Sequence, residues 1–174
     1  EYYDELLSTL PLDQFCNRLV QSPIPESVSF AAGELRHSSG YMVGIGIKQP
    51  CPSTKSWMYF PEGNCPFYRV TYLSNYSVHM TPDPSQYYSL LCEISESEYK
   101  PVDPGAVVED TIQGLINAGM LTEEDRNDIV STWTYYADYS YPTPTVERDA
   151  ILAHVVPYLE NRRVYTRGRF GMWK

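Results

Sequence analysis

The sequence has no long apolar run, no closely spaced cysteine pair and no clustered metal-ligand motif. Its apolar stretches fall short of the ~18 residues that a membrane-spanning helix requires, so we expect no membrane partner. Its four cysteines and three histidines are scattered without Cys-x-x-Cys spacing, which excludes the common zinc-binding patterns. Because no signal peptide opens the chain, we expect reduced thiols and a cytoplasmic location.

Basic residues are also few, with 13 Lys and Arg against 22 Asp and Glu and a net charge of -9. An acidic chain repels nucleic acid unless a local basic patch overrides its field, so nucleic acid is not an expected partner. The one basic cluster consists of Arg162, Arg163, Arg167, Arg169 and Lys174. Such a cluster is more typical of a solvated face or a small-anion site than of a nucleic-acid groove.

The chain does contain enough apolar material for a core, with 43% hydrophobic and 20% charged residues in a length of 174. Residue patterns predict strands at residues 4–9, 41–47, 88–93, 129–139 and 163–165, and a hairpin within residues 57–77. They predict helices at residues 12–20, 30–36, 103–119 and 145–156, and a short helix opening at the capping pair Thr122 and Asp125. Strands and helices do not alternate strictly, so we predict an α+β fold: a mainly antiparallel mixed sheet with helices on one face. A single lobe is expected over residues 1–174.

A dinucleotide-binding fingerprint is absent. Gly44 and Gly46 have the spacing of its first two glycines, but Gln49 occupies the place of the third and Pro50 prevents a helix from following. We therefore interpret this segment as a buried strand.

The most informative segment is the aromatic hairpin at residues 57–77. Side chains of a strand alternate between two faces, so Trp57 and several tyrosines can share one face with the guanidinium of Arg69. An Arg fork binds phosphate oxygens, and aromatic rings stack on a base with roughly 1–3 kcal/mol per base. The alternative is an ordinary aromatic sheet face in which Arg69 pairs with a carboxylate.

In two further segments, proline or glycine changes the conformational freedom of the backbone. Pro142 and Pro144 stiffen the stretch after Tyr141, so this ring is predicted to project from a rigid elbow. Near the end of the sequence, Gly168 and Gly171 permit a close approach of the backbone to another group.

At residues 57–77, 141–145 and 168–173 the chain resembles eukaryotic-type UDP-galactopyranose mutase, a flavoenzyme family related to amine oxidases and protoporphyrinogen oxidases. The strings Tyr-Phe-Pro-Glu, Cys-Pro-Phe-Tyr-Arg and Ser-Asn-Tyr-Ser are long and ordered, and the similarity runs with a few gaps over nearly the whole chain. In that family, the N5 of reduced FAD attacks the anomeric carbon of UDP-galactopyranose. The sugar opens and recloses as the furanose, and UDP recombines without net redox change.

The resemblance implies roles for particular residues. Arg69 would bind the diphosphate of a UDP-sugar, and Tyr59, Tyr76 and Tyr141 would bind the diphosphate and nearby groups. Trp57 would lie in the wall of the same cleft. Arg169 would lie near the flavin, and Gly168 and Gly171 beside it would also belong to the cofactor-binding residues.

The chain also departs from the family pattern. The glycine-rich turn that receives the FAD pyrophosphate is absent, and the sequence stops before the Tyr-Glu string and final flavin-contacting helix. We therefore expect a substrate-side lobe of a longer flavoprotein, with residues 1–15 and 165–174 crossing to an absent flavin domain. Alone, such a lobe is expected neither to hold FAD nor to catalyse.

Two other functions fit the same residues. One is the equivalent lobe of a related FAD-dependent, amine-oxidase-like oxidoreductase. The other is a non-catalytic binding or interaction domain, in which the exposed flavin-facing surface is an aromatic patch that self-associates or binds a partner chain.

Overall fold

The computed structural model describes residues 3–19 and 24–174, which form two compact units. The first unit contains residues 1–38 and 139–174, and the second contains residues 39–138. Both contain helices and strands, so the predicted α+β class is confirmed. The single lobe over residues 1–174 stays a prediction.

The first unit is built from short elements that surround one apolar cluster. Its strands β1 (Leu6–Ser8) and β7 (Val164–Thr166) pair in parallel. Its helices are α1 (Leu12–Gln14), which continues as a π-helical turn Phe15–Leu19, then α2 (Glu26–Gly33), α4 (Arg148–Glu160) and α5 (Gly168–Gly171). Leu12, Val28, Leu159 and Trp173 are among the side chains that they bury together.

The second unit contains the antiparallel sheet that the sequence predicted. Its strands are β2 (His37–Ile47), β3 (Trp57–Tyr59), β4 (Arg69–Tyr72), β5 (Tyr88–Glu96) and β6 (Ile129–Pro142), in the order β3-β4-β5-β2-β6. The first two residues of β2 and the last four of β6 belong to the first unit. Helix α3 (Val107–Asn117) packs against the apolar face of this sheet, so a helix covers one face as expected.

Alternation along the strands explains this packing. Val43 and Ile45 of β2, Val70 of β4 and Leu90 of β5 are essentially inaccessible to solvent and meet Leu115 of α3. The residues that alternate with these along each strand point to the opposite face of the sheet. One face of the sheet thus lies in the core of the second unit.

Several predicted boundaries are wrong. The helix predicted at residues 30–36 is α2 at Glu26–Gly33, because the carbonyl of Pro25 accepts hydrogen bonds from Val28 N and Ser29 N and starts the helix there. The helix predicted from Asp103 begins only at Val107: Asp103 first forms a turn, in which its carboxylate accepts from Gly105 N at 2.8 Å.

Other helix predictions differ in extent. The helix predicted at residues 145–156 is α4, which starts three residues later and runs through Pro157 to Glu160, because a proline in the last turn removes only one of the final hydrogen bonds. The helix predicted at residues 12–20 is found over Leu12–Leu19, while Val20 lies outside the described residues.

The predicted capping pair of the short helix is confirmed. Thr122 N donates to Asp125 Oδ2 at 2.7 Å, and Asp125 N donates to Thr122 Oγ1 at 3.3 Å. The 3-10 helix Glu124–Asp128 follows and leads directly into β6.

Candidate functional site

The β3–β4 hairpin places the predicted site residues on the open face of the sheet. Tyr59 lies directly opposite Arg69, and Trp57 lies opposite Thr71. The intervening Met58 points instead toward the core. The alternation of side chains across the hairpin therefore brings both rings and the guanidinium to one surface, as the sequence predicted.

These side chains line an open cleft of about 370 Å³. Its walls consist of Trp57, Tyr59, Arg69, Thr71, Leu73, Tyr76, Leu91 and Glu93. Trp57, Tyr59 and Tyr76 are each more than half exposed, so these three aromatic residues are accessible to solvent. Within the second unit, the structure thus joins four of the predicted substrate-side residues.

Tyr76 reaches the cleft because the turn before it is held in place. The 3-10 turn Leu73–Asn75 follows β4, and Asn75 Nδ2 donates to the carbonyls of Ser53 and Lys55 at 2.8 and 2.7 Å. Tyr76 N in turn donates to Leu73 O at 3.0 Å. These hydrogen bonds fix the backbone that carries the tyrosine.

Arg69 forms an ion pair with a buried acid. Its Nε and Nη2 donate to the two carboxylate oxygens of Glu93 at 2.6 and 2.7 Å, and the Glu93 side chain is only 7% exposed. The third nitrogen, Nη1, lies 3.5 Å from the hydroxyl oxygen of Tyr59. The carboxylate pairing that the sequence offered as an alternative is therefore present, on an Arg69 that also lines the cleft.

Sequence reasoning did not identify Glu93 or Tyr68. Glu93 lies opposite Arg69 in the β4–β5 ladder, and the hydroxyl of Tyr68 donates to Glu93 Oε2 at 2.7 Å. The available signal was the position of Glu93 in β5, where apolar Cys92 and Ile94 flank it on both sides. Its partner is Arg69, which lies 24 residues away in the sequence. The register of the two strands selects this partner, and a local sequence pattern does not encode that register.

Tyr141 and the predicted flavin-side residues lie in the first unit. The guanidinium carbon of Arg169 is 4.4 Å from the centroid of the Tyr141 ring, an arrangement in which the cation is attracted by the ring face. Tyr141 is the penultimate residue of β6, so the predicted extended elbow is the end of a strand.

The two glycines near Arg169 have structural uses. Gly168 has a φ of +81°, which only glycine adopts without strain, at the start of α5. A Cβ on Gly171 would lie 3.3 Å from Ser8 O and 3.6 Å from Thr9 Cα. The close approach predicted from the sequence is thus made to the chain's own backbone near β1.

A further aromatic pair lies on β6 in the second unit. Trp133 and Tyr135 stack with their centroids 6.0 Å apart and their planes within 3°, and both are 56% exposed. A Cβ on Gly44 would lie 3.5 Å from Trp133 Cε3, an ordinary van der Waals distance, so the Trp133 ring lies beside this part of β2.

Two kinds of site are not found in the part of the chain that the structure describes. No group of three or more His, Cys, Asp and Glu side chains is arranged to hold a metal ion. No helix in residues 3–19 or 24–174 is both long and apolar enough to cross a membrane.

Comparison with solved structures first defines the class of fold. The chain matches a protein assigned as a protoporphyrinogen oxidase from Exiguobacterium sp. 255-15 with a TM-score of 0.61 and 16% identity, over 98% of this chain and 37% of that one. It matches a CLA-producing fatty acid isomerase from P. acnes with a TM-score of 0.58 and 16% identity, over 95% of this chain and 36% of that one. At this identity the likeness shows the fold alone, which this chain shares with part of each of these two proteins.

A more specific match is to a crystal structure of reduced UDP-galactopyranose mutase. The TM-score is 0.88 and the identity is 38%, over 99% of this chain. This chain spans 37% of the length of that protein. No family model matches the sequence. The resemblance to UDP-galactopyranose mutase predicted from the motif strings is confirmed.

Proposed function

We propose that this chain supplies the diphosphate side of a UDP-sugar site in a UDP-galactopyranose mutase-like flavoprotein. The parent enzyme would be an isomerase that acts on a sugar nucleotide in the cytoplasm. The observation that carries the proposal is the cleft in which Trp57, Tyr59 and Tyr76 surround Arg69.

The donors in this cleft suit a diphosphate. The Nη1 edge of Arg69 and the Tyr59 hydroxyl lie next to each other, and each can donate to a phosphate oxygen. A charge-assisted hydrogen bond contributes roughly 1.5–3 kcal/mol. In the parent enzyme these donors would stabilise the charge that develops on the UDP leaving group.

The ion pair with Glu93 determines how the site can attract an anion. Because the carboxylate neutralises the guanidinium, the pair attracts an anion mainly through oriented hydrogen bonds rather than net charge. We therefore expect the isolated chain to bind UDP with a Kd of about 1 mM, which corresponds to about -4 kcal/mol.

FAD is the cofactor that the resemblance implies for the parent protein, where the reduced flavin would supply the nucleophile for the sugar carbon. Of the described residues predicted for this role, Arg169 retains a guanidinium stacked on an aromatic ring, which suits contact with the edge of a flat ring system. Gly168 and Gly171 are used for a turn and for backbone packing, so they do not fit a pyrophosphate cradle. The chain alone is expected neither to retain FAD nor to catalyse.

Titration calorimetry with UDP tests the proposed site. Arg69→Gln removes the charge but keeps an amide that donates to Glu93, and we expect it to weaken UDP binding by about tenfold. The matched control is Arg126→Gln, because Arg126 is also an ion-paired, 27% exposed arginine of the second unit but does not line the cleft. An unchanged affinity of Arg69→Gln, or no heat with the unaltered chain at UDP concentrations well above 1 mM, contradicts the proposal.

A second candidate function is a non-catalytic interaction domain. The exposed stack of Trp133 and Tyr135 favours it, because aromatic side chains on an open surface are typical of protein interfaces. Sedimentation analysis would then show self-association that Trp133→Ser abolishes, while UDP would bind neither form.

A further inference from the structure

We propose that Glu93 is a positioning residue that orients Arg69 for the diphosphate, and that Tyr68 in turn holds Glu93. This inference rests on the proposed function, because it assigns a role within the same cleft. Neither residue needs to contact the ligand, since both act through the guanidinium of Arg69.

The geometry points to positioning because two of the three guanidinium nitrogens are committed to Glu93. A fork held through Nε and Nη2 cannot rotate about its last bonds, so Nη1 is directed toward Tyr59 and the cleft. An arginine of this length would otherwise lose considerable rotamer freedom on binding a ligand. Glu93 removes that loss before the ligand arrives.

Tyr68 completes the arrangement from the neighbouring position on the same chain segment. Its hydroxyl donates to Glu93 Oε2, and its backbone N donates to Glu93 O at 3.0 Å. The buried carboxylate thus accepts hydrogen bonds from a cation and a neutral hydroxyl, which satisfies a charge that is only 7% exposed.

A positioning role and a purely electrostatic role predict opposite signs. If Glu93 only neutralised Arg69, Glu93→Gln would unmask a positive charge and strengthen UDP binding. If Glu93 orients Arg69, the same substitution weakens binding, because the amide of Gln cannot accept from both nitrogens. We expect about tenfold weaker UDP binding by Glu93→Gln.

Tyr68→Phe provides a milder variant that keeps both charges and removes one hydroxyl. We expect it to weaken UDP binding by about threefold, whereas a purely electrostatic role predicts no change. The control is Tyr99→Phe, because Tyr99 is 88% exposed and does not line the cleft.

A double-mutant cycle separates positioning from general damage to the fold. If Glu93 acts through Arg69, Glu93→Gln has no further effect on UDP affinity in the Arg69→Gln background. Effects of the two substitutions that simply add, or a gain in affinity by Glu93→Gln, overturn the positioning role.

A measurement without ligand keeps this inference distinct from the proposed function. In NMR spectra, the locked side chain predicts a slowly exchanging Arg69 Nε–H signal that disappears in Glu93→Gln and survives in Tyr99→Phe. A signal that persists in Glu93→Gln refutes the positioning role. A locked Arg69 in a chain that binds no UDP supports the positioning by Glu93 and overturns the proposed diphosphate site.

Discussion

Gly114 packs closely against the connection between β3 and β4, and its replacement by alanine is a quantitative test of this packing. The residue lies on the buried face of α3, against the connection between β3 and β4. A Cβ at this position would lie 2.5 Å from Pro66 Cδ, 3.1 Å from Cys65 Cβ and 3.1 Å from Phe67 Cε1. The proline ring cannot rotate away, so the helix or the hairpin connection must move.

Two effects of opposite sign determine the size of the change. Alanine favours a helix over glycine by about 1 kcal/mol, whereas overpacking a close-packed interior costs about 1–3 kcal/mol. Because the nearest neighbour is a rigid ring at a distance well inside van der Waals contact, the overpacking cost prevails. We expect Gly114→Ala to lower the free energy of unfolding by about 1–2 kcal/mol.

Urea unfolding monitored by far-UV circular dichroism measures this change. The matched control is Gly63→Ala, because Gly63 lies in the same connection and a Cβ added there would meet no neighbouring atom within 4 Å. We expect this control to be within about 0.5 kcal/mol of the unaltered chain. If Gly114→Ala is as stable as the unaltered chain, or more stable, helix propensity outweighs the contact and the argument from packing is refuted.

The remaining predictions concern titratable groups. Hydrogen bonds from the Gln49 side chain and from Thr122 lower the pKa of Asp125. Its ionised form therefore stabilises the fold at pH values above the unfolded-state pKa, and this stabilisation is lost as the pH falls through the folded-state pKa. We therefore expect Asp125→Asn to destabilise the chain more at pH 7 than at about pH 2 in thermal unfolding, and equal losses at both values would contradict this. Burial, with Asp13 nearby, raises the pKa of Cys16 to about 11, and burial raises the pKa of Cys92. A thiol reagent at about pH 8 is therefore expected to label both slowly in the native chain and rapidly in urea, and rapid native labelling of either would refute their burial.

The sequence predicted the parts of the fold that depend on local periodicity. The hairpin of β3 and β4 followed from alternation, and helix α3 lies within the helix predicted at residues 103–119. Helix starts were less accurate, because a proline or an Asx turn near the N-terminus permits several first residues. Pro25 and Asp103 show both outcomes, since one starts a helix directly and the other precedes it by a turn.

The sequence predicted side chains that line the cleft, and it left open whether Arg69 pairs with a carboxylate. Trp57, Tyr59 and Arg69 share a face because of a two-residue period that is visible in the sequence. Glu93 joins them only through the register between β4 and β5, which depends on how the whole sheet packs on α3. A local pattern cannot therefore reveal which acid pairs with Arg69.

The three tryptophans are divided between the two units. Trp173 is 1% exposed in the first unit, where its indole N–H donates to Arg36 O at 2.8 Å. Trp57 and Trp133, in the second unit, are 51% and 56% exposed. Indole fluorescence shifts to longer wavelength in contact with water, and a dissolved quencher such as acrylamide quenches the accessible indole rings first. The unaltered chain thus has a buried tryptophan in the first unit and exposed tryptophans in the second. A fluorescence titration can therefore distinguish unfolding of the first unit from unfolding of the second without any added label.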